Sequence, residues 1–463
     1  MAQATLGSQP QAASRGGPVP PSSSAAPPAR RHSVSRAMAK RKLDEATSEP
    51  PMLCGECQAV AFVNARVLDV ERGVLSEAGQ TVRVLGDTIA AVGAGVQPEA
   101  GDRIIEAGGM TLMPGLIDMH VHVTAWSANF AMLTRQATSY TAMRARHILR
   151  GMLLRGFTSV RDAGGADFGL AQAVEENLIE GPKIFFCGHA LSQTGGHGDQ
   201  RGPGENAEPC MCMHGLGVVC DGVAQMRQAC RDEIRKGATQ IKLMVSGGVA
   251  SPCDRIDSTQ FALDEITAAV EEAEAANIPV MAHAYTARAI KRALQCGVRS
   301  IEHGNLLDES CLQLFLEKGA FLVPTLATYK VLVSEGVANG MPKDQVAKVS
   351  KVLDAGVQAL GLAHRAGVKI CFGTDLLGDM HRHQLTGLAL HAEVQPSADV
   401  LRAATCTAAE LLGLPGRLGV VRAGARADLL LVDGNPLADL SVLLAPELRL
   451  KMVMKGGVLH KGG

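Results

Sequence analysis

Two histidines, His120 and His122, close the run Met113-Pro114-Gly115-Leu116-Ile117-Asp118-Met119-His120-Val121-His122. A Pro-Gly turn followed by a short apolar stretch reads as a strand start, and residues i and i+2 of a strand share a face. Two imidazoles side by side at a strand end are a natural beginning for a metal site. The pair alone discriminates weakly: with 14 His in 463 residues, chance supplies roughly 0.4 such pairs. A second pair indeed stands at His381 and His383, in a stretch expected either to face a substrate or to be solvated. Stronger support comes from downstream. Lys242 lies within Gln240-Ile241-Lys242-Leu243-Met244, His283 ends Met281-Ala282-His283, His303 sits in Ile301-Glu302-His303-Gly304, and Asp375 ends Phe372-Gly373-Thr374-Asp375. A lone His in an apolar run is usually a core residue. Four of them at successive strand ends, with a Lys and an Asp, point to divalent metal. The lysine is the unusual member, because a bare ammonium is a poor neighbour for a cation. Buried and deprotonated, it can react with CO2 to form a carbamate, an anionic bridge between two metals. The competing reading is an ion pair from Lys242 to Asp375 or Glu302.

These residues need a framework that brings distant strand ends together. The middle of the chain alternates apolar strands with helical text. Eight strand candidates fall at 116–122, 158–162, 183–187, 240–245, 280–283, 300–303, 321–324 and 369–373. The helical stretch 263–276 carries Asp264 and Glu265 in its first turn, which suits a helix N-terminus. Eight βα units predict an α/β fold, a (β/α)8 TIM barrel at 110–404, with its chemistry at the C-terminal strand ends. The Gly-rich segment 188–223, containing Gly195-Gly196-His197-Gly198, is an insertion after the third strand and is expected over the mouth as a lid or binding loop. Short strands and turns recur on both flanks, at 56–109 and 405–463, and predict a small β-sandwich domain built from the two.

Residues 1–55 read as a disordered tail rich in Ser, Pro, Ala and Gly. Its basic residues, with no acidic ones up to Lys42, also fit a mitochondrial transit peptide, or a short nuclear signal at Lys40-Arg41-Lys42; Met38 is an alternative start. A cytoplasmic location is the primary expectation and a mitochondrial one the alternative. A net charge of −1 and 3% aromatic residues give no footprint for nucleic acid, and no apolar run reaches membrane-span length. The 12 Cys are scattered, as expected of reduced thiols rather than a disulfide framework. Cys54-x-x-Cys57 has no second C-x-x-C to complete a zinc knuckle. Cys210, Cys212, His214 and Cys220 form either a small structural zinc site or a loop with buried thiols.

The wording around these residues resembles the amidohydrolase superfamily from about residue 62 to 458. Within it, the branch of prolidase-like and ochratoxinase-like metallocarboxypeptidases is most similar, with imidazolonepropionase related. The resemblance rests on the His120–His122 run above, on Ile241-Lys242-Leu243-Met244-Val245-Ser246-Gly247-Gly248-Val249 with Ser251-Pro252-Cys253-Asp254, on Ile301-Glu302-His303-Gly304, on Gly373-Thr374-Asp375, and on Gly424-Ala425-Arg426-Ala427-Asp428-Leu429. It implies two divalent ions, zinc by expectation although manganese, iron and cobalt suit the same donors. One would be held by His120, His122, Asp375 and N6-carboxylated Lys242, the other by Lys242, His283 and His303. It also implies a homo-oligomer.

Two metals bridged by hydroxide supply a nucleophile at neutral pH and a Lewis acid. Asp375 is then placed to move the proton, and Tyr285, two residues past His283, to stabilise the oxyanion. Related enzymes use a loop His on the substrate carboxylate, a role that falls here to His197. Arg161-Asp162 reads as a structural ion pair near the rim. The expected activity is hydrolysis of a C–N bond in a dipeptide, N-acyl amino acid or ochratoxin-like amide. The alternative is a mononuclear cyclic amidohydrolase or deaminase of imidazolonepropionase type, whose members usually lack the Lys242 counterpart. A non-enzymatic scaffold on the same barrel would have lost ligands, and none of the six is missing.

Overall fold

The apolar runs of the middle segment become parallel strands in the computed structural model, which describes residues 59–206 and 215–462. The tail, Cys54, Cys57, Cys210, Cys212 and His214 lie outside the described residues. The strands are β1 (Leu116–Val121), β2 (Phe157–Asp162), β3 (Lys183–Phe186), β4 (Ile241–Met244), β5 (Val280–Thr286), β6 (Ser300–Leu306), β7 (Phe321–Val323) and β8 (Lys369–Ile370). Their pairings form two parallel sheets rather than one uninterrupted ladder: β1-β2-β3, and β4 through β8 with the short strands Ala190–Ser192 and Gly217–Val219 beyond β4. Backbone bonds join the two sets. Thr239 N donates to Phe186 O at 2.8 Å on one side, and Met119 N to Phe372 O at 2.8 Å on the other.

The third run explains the first break. It kinks after Phe186, where Gly188 takes φ +72°, a conformation L side chains rarely adopt. The half before the kink pairs with β2; the half after it, Ala190–Ser192, pairs with β4 in the register Ala190↔Lys242. A side chain at Gly188 would also collide with Glu233, whose Oε2 lies 1.9 Å from the position of a Cβ.

Helices between the strands form where the sequence supplies an apolar stripe and a cap. Ala287–Gln295 buries Ala289, Ile290, Ala293 and Leu294 on one face, and the Thr286 side chain accepts from Ala289 N. Leu263–Ala275 matches the expected 263–276 within one residue, and Glu265 reaches back to Ala262 N at 2.6 Å. Among the described residues no helix is long and apolar enough to cross a membrane. The described cysteines are free thiols, Cys220 buried among them.

Both flanks contribute to one β structure. Val60–Asp69 pairs with Gln80–Leu85 and, in parallel, with Arg103–Glu106 and Thr111–Pro114. Thr111–Pro114 pairs in turn with Leu429–Val432, which continues into Leu450–Lys455 and Val458–Lys461. The pairings thus define a single connected nine-stranded sheet, joined edge to edge by Thr111–Pro114. Glycines at 108 and 109, both at positive φ, form a bulge between Arg103–Glu106 and Thr111–Pro114, and the chain keeps running parallel to Val60–Asp69 on either side of them. Past 405, Ala408 and Ala409 of helix Cys406–Leu411 pack on Ile117 and Met119 of β1. Phe62, Leu112 and Leu430 share a core with Leu116, Phe157 and Phe372. The flank sheet is therefore welded to the β1 end by apolar burial.

Candidate active site and metal centre

All six residues singled out by type and spacing line one cavity of about 510 Å³. His120 is the penultimate residue of β1 and His122 lies just past it, Lys242 is in β4, His283 in β5 opposite Met244, and His303 in β6 opposite Ala284. Asp375 follows β8 on a loop pinned to β1, since its N–H donates to His120 O at 2.8 Å. His120, His303 and Asp375 each offer a donor atom within 4.8 Å of the others. Asp375 Oδ1 lies 3.6 Å from His120 Nε2 and 3.3 Å from His122 Nε2, and its Oδ2 lies 4.0 Å from His303 Nδ1.

Each imidazole is oriented through its other nitrogen. His120 Nδ1 bonds Glu302 Oε2 at 2.7 Å, His122 Nδ1 bonds Gly164 O at 2.9 Å, and His303 Nδ1 bonds Thr325 Oγ1 at 2.7 Å. These bonds leave the three Nε2 atoms as the remaining donors of the rings, those of His120 and His122 beside Asp375. His283 is held the other way round, through Nε2 to Gly247 O at 3.1 Å, leaving Nδ1. A carboxylate or carbonyl on the far ring nitrogen is how metal-binding histidines are usually fixed. The donor set, neutral imidazoles with a carboxylate and an amine, fits divalent transition ions.

Burial pushes the pKa values of His120, His283 and His303 well below the ordinary range, so these rings are neutral and able to ligate. Burial opposes charge on Asp375 too, but His120 and His122 outweigh it and hold the carboxyl below its usual value. His122 shows the complement. Burial lowers its pKa, and the bond and charge of Asp375 more than restore it. Lys242 is lowered, chiefly by burial, which favours the neutral amine that a carbamate requires. The ion pair from Lys242 to Asp375 or Glu302 does not form among the described residues. The backbone is strained where it presents two of the donors: φ is 71° at His303 and 55° at Asp375. Such conformations cost about 1–3 kcal/mol each and cluster at functional sites.

Two further residues named from sequence also line the cavity. Tyr285 is 1% exposed, and its hydroxyl accepts from Tyr329 OH at 3.0 Å. His197 reaches in from the 188–223 insertion and stacks on His283 with centroids 4.3 Å apart. Its Nδ1 bonds Ser251 Oγ at 2.9 Å, and Ser251 in turn bonds Asp254. Gly248 gives the ring room, because a Cβ there would lie 2.1 Å from His197 Cε1.

Other expectations are revised. Arg161 pairs not with Asp162 but with Glu302, Nη2 to Oε1 at 2.8 Å, and also donates to Met119 O. Asp162 instead accepts backbone N–H bonds from Val123, Gly164 and Ala166. His381 and His383 miss the catalytic cavity. His381 is buried against a separate hollow, and His383 bonds Glu335 at 2.9 Å. Sequence reasoning missed Tyr329, whose hydroxyl touches His303 Nδ1 at 2.9 Å as well as Tyr285. The available signal was scarcity: the chain has 3 Tyr, and two of them meet here. It gave Glu302 a place only as an ion-pair alternative for Lys242 and left Asp118 without a role. Asp118 binds Thr374 Oγ1 at 2.6 Å and Gln384 Nε2 at 2.9 Å, and so supports the residue before Asp375.

The profile of the amidohydrolase family matches residues 111–459. Ochratoxinase from Aspergillus niger is 33% identical over 365 residues, covering 76% of each chain. The crystal structure of a prolidase complexed with N-methylphosphonate-L-proline superimposes with a TM-score of 0.85 at 50% identity, covering 87% of this chain and 99% of that one. A Xaa-Pro dipeptidase with methionine in its active site superimposes with a TM-score of 0.78 at 28% identity, covering 87% and 100%.

Proposed function

Since this chain belongs to the amidohydrolase family and is a hydrolase acting on C–N bonds, we propose that it is a binuclear metal-dependent amidohydrolase cleaving dipeptides, N-acyl amino acids or ochratoxin-like amides. The observation that carries this reading is the convergence of six donors on one cavity, with Lys242 among them and unpaired. His120, His122, Asp375 and a carboxylated Lys242 would hold one ion, and Lys242, His283 and His303 the other. We take zinc as the metal. When bound, such ions supply Lewis acidity and an acidified water at neutral pH. The parallel strands are read as a closed (β/α)8 barrel at 110–404. The bonds joining β3 to the β4 side and β1 to the β8 side support closure.

The protein's own groups account for orientation and proton movement. Asp375, held as a carboxylate, takes the proton from the attacking water and returns it to the leaving nitrogen. Tyr329 O–H donates a hydrogen bond to Tyr285 OH, so the Tyr285 O–H is left to donate to the substrate carbonyl oxygen as charge develops there. Burial raises the Tyr285 pKa further, so the donor stays protonated at neutral pH. With Tyr329 OH and Thr325 Oγ1 beside it, His303 Nδ1 serves as a donor and keeps Nε2 for ligation. His197 bonds Ser251 through Nδ1, with Asp254 beyond, and would meet a substrate carboxylate through Nε2 as the imidazolium, the form that burial opposes and Asp254 favours. The remaining wall includes Phe130, Met244, Val249, Leu332, Met341 and Leu377, which favours an apolar acyl or side-chain group.

Prolidase, Xaa-Pro dipeptidase and ochratoxinase, the names of the similar proteins, fall within this substrate class. The test is a panel of Xaa-Pro dipeptides, N-acyl amino acids and ochratoxin A, each with its carboxylate free or esterified, set beside cyclic imidazolones. Hydrolysis of a linear amide that depends on the free carboxylate is expected. Turnover confined to the cyclic compounds would overturn the proposal.

A further inference from the structure

Outside the catalytic cavity, a hollow of about 370 Å³ is lined by Arg144, His147, Arg155, His381 and Arg382, against a single acidic residue, Asp379. It lies between helix Thr138–Leu154 and the turn Gly378–His383. Positions 144, 147, 148 and 151 recur at helical spacing and so share one face; all four line the hollow, as does Arg155 just past the helix end. Gly151 keeps the floor open: a Cβ there would sit 3.0 Å from Arg155 Nη1.

The positive groups are poorly neutralised. Among the described residues neither Arg144 nor Arg155 meets a carboxylate within ion-pair distance. Arg155 gives Nε and Nη2 to the neutral Gln384 Oε1, at 3.1 and 3.0 Å. Arg144 lies over the Trp126 ring, 5.6 Å from its centroid. Only Arg382 has an acidic partner, Glu335 at 2.6 Å. One further buried donor has no partner, Trp126 Nε1, and an indole N–H can only donate. His381, 5% exposed and kept neutral by burial, adds no charge of its own. Leaving the indole donor without an acceptor, beside guanidinium groups that meet no carboxylate, is costly. A multiply charged oxyanion supplies both the acceptor oxygens and the charge, and Arg is well shaped for it. The hollow is a concavity with one buried donor, which suits a small molecule better than a flat macromolecular partner.

We propose that this hollow is a second, non-catalytic binding site for a small oxyanion carrying two or more negative charges, either a phosphate or a di- or tricarboxylate. It is independent of the hydrolytic reading. It takes in His381, which the catalytic cavity leaves unused. The chain carries 1 Trp, and it lies in the wall of this hollow, so its emission reports on the site directly.

The experiment titrates orthophosphate and, separately, tricarballylate into the metal-loaded full chain at constant ionic strength, read by calorimetry and by Trp126 emission. Saturable binding of at least one is expected, and which one binds distinguishes the phosphate from the carboxylate source. Arg144→Gln should weaken binding about tenfold, the loss expected for one charge-assisted bond, and Arg144→Gln with Arg382→Gln should abolish it. Both side chains are exposed, so the fold should survive, as circular dichroism would verify. Binding should persist after chelation of the metal. No saturable binding of either probe, binding lost on chelation, or binding unchanged in the double variant would each overturn the proposal.

Discussion

Replacing Tyr285 by Phe removes one hydroxyl and leaves the ring that packs against His283 and His303. If that hydroxyl meets the developing oxyanion, kcat should fall about 10²–10³-fold, the range for loss of one such donor, with metal content and KM little changed. A kcat within a few fold of wild type would return Tyr285 to a packing role. Steady-state kinetics on the best linear amide decide the matter. Tyr285 was legible because it lies two residues from His283. Tyr329 was not, since it stands 44 residues further along on helix Leu326–Glu335 and reaches the site only through the fold. Glu302 sat in plain view inside its motif. Its task, bonding His120 on one side and Arg161 on the other, depends on strands β1, β2 and β6 facing one another, which residue types alone do not reveal.

At the scale of elements, the site depends on how closely β1, β7 and the β8 loop approach. Gly373 marks that contact: a Cβ there would lie 2.6 Å from Val323 Cγ1 and 3.0 Å from the His120 Cβ. Gly373→Ala should therefore push the end of β1 outward, cost about 1–3 kcal/mol of stability as overpacking does, and lower the metal bound per chain. Gly95→Ala, with nothing within 4 Å of its Cβ position, is the matched control. Equal melting temperature and metal content in the two variants would contradict this packing account. The alternation of βα units made the parallel strands and their order readable, because each buried strand carries its own apolar run. The flank strands were harder. Thr111–Pro114 abuts β1 in sequence yet pairs with Leu429–Val432, a partner some three hundred residues away that no local pattern announces.

At the scale of the whole molecule, burial of neutral histidines sets an acid limit on the fold. His391 is fully buried, bonded to Gln395 at 2.9 Å, and its pKa is pushed down to about 4 by burial. His381 is pushed down to about 3 for the same reason. A folded-state pKa below the free value means the native state favours the neutral ring. The associated stability is present above about pH 6.5 and is lost as pH falls toward the folded value. Between pH 7 and pH 5 His391 alone should cost about 2 kcal/mol, since each unit is worth about 1.4 kcal/mol. In His391→Gln the drop in stability over that range should shrink by this amount, measured by chemical denaturation at the two pH values. An unchanged drop would show that other groups govern the acid limit.

The central claim is that six donors from five separate strand ends hold two ions, with Lys242 between them. Metal content per chain, measured by mass spectrometry on wild type and on Lys242→Ala after equal exposure to zinc and bicarbonate, tests it most directly. The account predicts about two ions per wild-type chain, the number a binuclear site holds, and a sharp fall in the variant. One ion per chain, indifferent to the loss of Lys242, would contradict it.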